Sequence, residues 1–216
     1  MKKLTFLMVV VLCWTMGMAQ QDEKAKGILE QVTSTTRGYS TISASFKYVM
    51  ENKAEGILEE NNGKILMKGN QFHLDLSQLG MEVFNNGQTV WTYMKDAGEV
   101  TVAEADDEMN EMMDPSKLFT IYEEGFDYQF VEEKTIDGTP VYVIDLIPED
   151  QQIEYSRIRI QVDKNRMLIR QADMIGHEGS NYIVVVEDLK TNVPASAADF
   201  EFDPGKHKGV EVIDLR

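Results

Sequence analysis

The chain has 216 residues, and its 37 acidic against 21 basic side chains set a formal charge of −16. That length suits one domain with a sizeable core, burying about 70% of the unfolded surface. So acidic a composition argues against nucleic acid and anionic membrane surfaces as partners, and a single cysteine leaves no pair for a disulfide.

In chain order, the first element is an export signal. Lys2 and Lys3 precede a nearly unbroken apolar run from Leu4 to Met16, and Gly17-Met18-Ala19 supplies small residues for cleavage. The run is shorter than the roughly 20 residues a membrane-spanning helix needs; the rival reading is an uncleaved anchor. A signal peptide over 1–19 and a single domain over 20–216 are expected, with the mature protein in the periplasm. Cys13 follows Leu12, where a lipidation site would require a small residue, so it is expected to leave with the peptide. The mature chain then has no thiol chemistry and a charge of −18, because only two lysines are removed.

Asp22 to Arg37 reads as a helix, with Ala25, Ile28, Leu29 and Val32 on one face and Gly38 as its stop. The period then changes to two. Ile42, Ala44, Phe46, Tyr48 and Met50 alternate with a largely polar set, the mark of a half-buried strand. Turn signals follow. Asn62-Gly63 precedes Ile65–Met67, Phe72, Leu74 and Leu76 alternate with polar residues, and Asn86-Gly87 joins Met81–Phe84 to Val90–Tyr93 in a hairpin.

Residues 104–124 break this rhythm. Met109, Met112 and Met113 stand at i, i+3 and i+4 in an acidic stretch, and Asp114-Pro115 opens a second run containing Leu118, Phe119, Ile121 and Tyr122. Two short helices are expected here, the first with a sulfur-rich face. The strand pattern returns with Asp137-Gly138 as a hairpin turn between Tyr128–Val131 and Val141–Leu146. It continues through Ile158–Val162, Met167–Met174 and Tyr182–Val186 to a tail with Phe200, Phe202, Pro204, Val210, Val212 and Ile213. The composition is mainly β with short helices, in a curved sheet or open barrel.

No catalytic constellation is present. His73, His177 and His207 are not spaced as metal ligands, and His73 is expected on the polar face of its strand. No phosphate loop, dinucleotide fingerprint or nucleophile elbow occurs. Asp106-Asp107-Glu108 lacks calcium-loop spacing and reads as a solvated face. No cofactor is expected. What stands out is adaptable apolar surface: methionines 109–113 with Phe72, Phe84, Trp91, Phe119 and Tyr122 would suit a promiscuous apolar ligand, or else an ordinary core.

Four stretches resemble the LolA family of periplasmic lipoprotein carriers over nearly the whole mature chain. They are Ile42-Ser43-Ala44-Ser45-Phe46; Gly63 to Lys68 with Phe72; Asn86 to Tyr93; and Asn192 with Asp199-Phe200-Glu201-Phe202-Asp203-Pro204. The resemblance implies an open, incomplete antiparallel β-barrel with an N-terminal helix and a helical lid over a hydrophobic cavity. It implies a carrier, not an enzyme. Such a carrier takes acylated lipoproteins from an inner-membrane lipoprotein-releasing ABC transporter and delivers them to the outer membrane. The acceptor there is unidentified, and a monomer is expected. Phe46, Leu66, Phe72, Leu74, Trp91, Met109, Met112, Met113, Phe119 and Tyr122 are the expected cavity and lid residues. One departure stands out: Gly69 occupies the place of an arginine that helps hold the family's lid closed. A lipoprotein-sensing module and a carrier of another lipid are the competing readings.

Overall fold

A computed structural model describes residues 23–105, 125–150, 153 and 155–216. The expected signal peptide and both expected helices between 106 and 124 lie outside the described residues. No described helix is long and apolar enough to cross a membrane.

Helix α1, residues 23–37, buries Ala25, Ile28, Leu29 and Val32 as its periodicity requires. Gly38 ends it by donating to the carbonyls of Ser34 and Thr35. Twelve strands follow: β1 (Ile42–Asn52), β2 (Ile57–Lys68), β3 (Gln71–Leu76), β4 (Met81–Asn85), β5 (Thr89–Met94) and β6 (Glu99–Glu104), then β7 (Phe126–Ile136), β8 (Thr139–Pro148), β9 (Tyr155–Asp163), β10 (Leu168–Gly176), β11 (Ser180–Thr191) and β12 (Glu211–Asp214).

All twelve described strands form one sheet in the order β12-β6-β5-β4-β3-β2-β1-β11-β10-β9-β8-β7. Two antiparallel meanders explain this order. The chain steps outward from β1 to β6, resumes at the far edge as β7, and steps back to β11 beside β1. Among the described strands only β12 is parallel to its neighbour, β6. Among the described strands β7 and β12 are edges, so the barrel stays open, as expected.

The hairpin turns follow local chemistry where positive φ is demanded. Asp137 (φ 50°) and Gly138 (φ 77°) make the two-residue turn that twists β7 onto β8. Asn62-Gly63, read above as a turn, instead lies inside β2, and the chain reverses at residues 53–56. There the Asn52 side chain accepts from Ala54 N and Glu55 N, and Gly56 takes φ 68°. Gly63 serves a steric purpose. A Cβ there would stand 2.8 Å from both Phe46 Cε2 and Leu76 Cδ2. Gly63→Val is therefore expected to cost about 1–3 kcal/mol of stability, as overpacking does. The urea midpoint reads this, and an unchanged midpoint would show that both side chains move aside freely.

Among the described residues three clusters make the core. On the face carrying α1, Leu29 and Val32 pack with Ile144, Leu146, Ile158, Ile160 and Val162. Farther along the same face Ile42, Met67, Phe72, Val83 and Val90 form the second cluster. Phe84, Val100 and Phe202 form the third on the opposite face, where the C-terminal tail crosses the sheet. We refer to these as the helix face and the tail face. Asn192, at φ 56°, ties the two ends of the meander together: its side-chain oxygen accepts from Ser40 N (2.9 Å) and Ser40 Oγ (3.0 Å), at the junction of α1 and β1.

Candidate functional site

Side chains alternate between the faces of a strand, and directly paired residues share a face. The register therefore assigns every strand residue to one side. On β1, Ile42, Ala44, Phe46, Tyr48 and Met50 point to the helix face. Through β11 they continue into Val186, Val184 and Tyr182, and through β10 into Ala172 and Met174. Through β2 and β3 they continue into Ile65, Leu74 and Leu76, and then to Val83 and Met81 on β4.

One irregularity preserves this continuity. Ala44 pairs with Leu189 but Phe46 pairs with Val186, so β11 carries one extra residue at Glu187-Asp188. Without that bulge, Val184 and Val186 would turn to the other face.

The helix face is not filled evenly. Under α1 it is closed, and around Phe72, at 2% exposure, it is closed again. Between these packed ends, Phe46, Tyr48, Met50, Leu74, Leu76 and Met81 are half-buried. So are Met174, Tyr182, Val184 and Val186. This is an apolar floor with a core at each end, and it is the candidate site.

The expected cavity residues divide in three. Phe46, Phe72 and Leu74 share the helix face, with Phe72 inside the core and the other two on the open floor. Leu66 and Trp91 stand on the tail face. Leu66 pairs with His73, and Trp91 with Phe84 and Val102. Trp91 packs against the third cluster beneath the tail. Met109, Met112, Met113, Phe119 and Tyr122 lie outside the described residues.

The tail face accounts for two further differences. His73 is not on a plain polar surface: its ring stacks on Phe84 at 4.1 Å, with Nε2 3.3 Å from Glu82 Oε2. Phe84 also belongs to this side, edge-on to Phe202 at 5.9 Å between centroids. Residues missed in the sequence are Tyr48, Met50, Leu76 and Met81 with the β10–β11 set. The alternation of β1 was the signal for the first two. No comparable signal marks Tyr182–Val186, which is apolar at every position.

Among the described residues charge is kept off the floor except at one end, where Glu59 stands across from Met50. The buried Asp145 carboxylate, opposite Arg159 across β8–β9, accepts from Arg159 Nε (2.6 Å) and Nη2 (2.8 Å) and from Arg157 Nη1 (3.3 Å). This cluster lies on the tail face, because its neighbours Ile144, Leu146, Ile158 and Ile160 occupy the helix face. Among the described residues no group of three or more His, Cys, Asp or Glu is placed to hold a metal ion.

Gly69 has a local explanation. Lys68 pairs with Gln71, so Gly69-Asn70 is a two-residue turn, with Gly69 at φ 60°. An arginine at its first position would be strained.

These features define a class: an open, mainly antiparallel-sheet protein with an N-terminal helix, whose helix face is largely apolar and, among the described residues, only partly covered. The family model described as outer membrane lipoprotein carrier protein LolA matches residues 37–203, and the chain belongs to the LolA family.

An outer-membrane lipoprotein carrier protein of Azotobacter vinelandii is 22% identical over 207 residues, covering 94% of this chain and 95% of that one. An uncharacterized protein of Methanocaldococcus jannaschii is 26% identical over 139 residues, or 63% of this chain. The match spans only 39% of that archaeal protein's length. The crystal structure of an uncharacterized conserved protein from Thermus thermophilus shares the fold, with a TM-score of 0.62 at 12% identity. It covers 88% of this chain and 99% of that one.

Proposed function

We propose that this protein carries the acyl chains of lipoproteins on the floor of its helix face, between an inner-membrane donor and the outer membrane. The observation that supports this reading is the half-buried apolar floor between two packed cores, in a family described by lipoprotein carriage.

The physical need is plain. Each acyl CH₂ is worth about 0.8 kcal/mol on burial, so three chains with roughly 45 carbons would cost on the order of 35 kcal/mol in water. A carrier must replace most of that contact and still let go. The floor uses side chains suited to this, with Met50, Met81 and Met174 adjusting their shape to whatever lies on them.

In this reading residues 1–19 are removed on export and the protein works in the periplasm. An ABC transporter releases the cargo to it, no bond is made or broken, and Met109, Met112, Met113, Phe119 and Tyr122 cover the bound chains. The test loads the purified full chain with a synthetic diacylated lipopeptide and with the same peptide lacking its chains. Binding of the first alone is expected, and it should weaken in the double variant Met112→Glu, Phe119→Glu. Equal binding of both peptides would sink the carrier reading. Undiminished binding by a folded double variant would sink the covering role.

A further inference from the structure

The floor is not uniform from end to end. Phe46, Leu74 and Leu76 contribute only hydrocarbon. Toward the β1–β2 turn the floor passes to Tyr48 and then to Tyr182, which is opposite Met50 and diagonal to Tyr48. Their rings stack with centroids 6.0 Å apart. Tyr155 joins them edge-on to Tyr182 at 6.3 Å, brought to this face by a bulge at Ser156 where β9 meets β10. Beyond this cluster the floor ends in polar groups, with Asn52 Nδ2 donating to Ser180 Oγ at 3.0 Å.

An acylated ligand has the same polarity along its length: a methyl end, a run of methylenes, then an ester or amide carbonyl. That carbonyl only accepts hydrogen bonds and must find a donor when it leaves water. The Tyr48 hydroxyl has no hydrogen-bond partner among the described residues. Burial first, and then the ionised forms of Tyr182, Tyr155 and Glu59, push it up to about 12 from its ordinary 10.0, so it carries its proton at neutral pH. Exposed Glu59, across from Met50, places negative charge at this end and disfavours an anionic head such as a free fatty-acid carboxylate.

Resting on the carrier reading, we propose that the Tyr48 hydroxyl donates to the ester carbonyl of the bound acyl chain, with Tyr182 and Tyr155 holding its ring. The ligand class is therefore a neutral acyl ester, with its methyl end toward Leu74 and Leu76.

The experiment compares a diester lipopeptide with its diether analogue, equal in chain length but without carbonyls, on wild type, Tyr48→Phe and Tyr182→Phe. Wild type is expected to favour the diester by about fivefold, the worth of one net hydrogen bond. Tyr48→Phe should remove that preference, and Tyr182→Phe should keep it. Equal wild-type affinities, or a preference lost in Tyr182→Phe instead, overturn this assignment and leave the carrier reading standing. Palmitate binding as tightly as the diester overturns it likewise. No binding of either lipid to wild type overturns both.

Discussion

Val184→Glu is expected to weaken binding of an acylated peptide by about 100-fold or more while the protein stays folded. Val184 lies mid-floor, paired with Tyr48 on one side and Ala172 on the other, and is half-buried. A carboxylate there reaches water until an acyl chain covers it. Covered, it would lose its hydration without gaining a partner, a penalty of at least a few kcal/mol, and each 1.4 kcal/mol is tenfold in affinity. Displacement of a fluorescent lipid measures the affinity, and far-ultraviolet circular dichroism verifies the fold. Unchanged affinity would remove the floor from the binding site. Val185→Glu is the matched control, because its neighbour position points to the tail face, and it should bind as wild type does.

Phe200→Ala is expected to be the most damaging single change for stability. Phe200 is fully buried, and it ends the short turn Ala197–Phe200 that packs on β3. That turn is held at its start by the Asp199 carboxylate, whose Oδ2 accepts from Ser196 N at 2.7 Å and from Ser196 Oγ at 2.9 Å. Deleting a buried phenylalanine ring costs about 3–5 kcal/mol. At about 2–4 °C per kcal/mol for a chain of this size, the melting temperature should fall by about 10 °C. Limited proteolysis gives a second readout, because loss of this anchor should expose the tail before β12. A melting temperature within a degree or two of wild type would show that the tail is not anchored by this ring.

The pieces legible in the sequence are those governed by neighbours along the chain. Helix α1 was legible because burial at Ala25, Ile28, Leu29 and Val32 follows a period of 3.6. The hairpins at Asn86-Gly87 and Asp137-Gly138 were legible because positive φ at Gly87 and at both turn residues of the second selects those residue types locally. Asn62-Gly63 has the same turn signature but a different cause: Gly63 makes room for Phe46 on the adjacent strand, a fact absent from its own surroundings. Strand β6 was passed over although Val100 and Val102 alternate with Glu99 and Thr101.

The candidate site was legible only in part, for a related reason. In β1 polar residues mark one side, so Phe46 was placed on the correct face. In β5 apolar residues occupy both sides, because the second cluster covers one face and the C-terminal tail the other, and in β2 Ile65 and Met67 join the second cluster while apolar Leu66 stands on the opposite face. Nothing local then says which way Leu66 or Trp91 points. The order of strands is equally nonlocal, since β11 reaches β1 from the far end of the chain.

By itself the sequence determined an acidic, mainly β chain, its N-terminal helix, most of its strands and its resemblance to lipoprotein carriers, all set by composition, periodicity and short motifs. Only the tertiary structure decided that β1 sits at the centre of the sheet, which side chains share the helix face, and that a floor between two cores is left partly uncovered. Those depend on register and on a bulge in β11, where one added residue turns every following side chain to the other face.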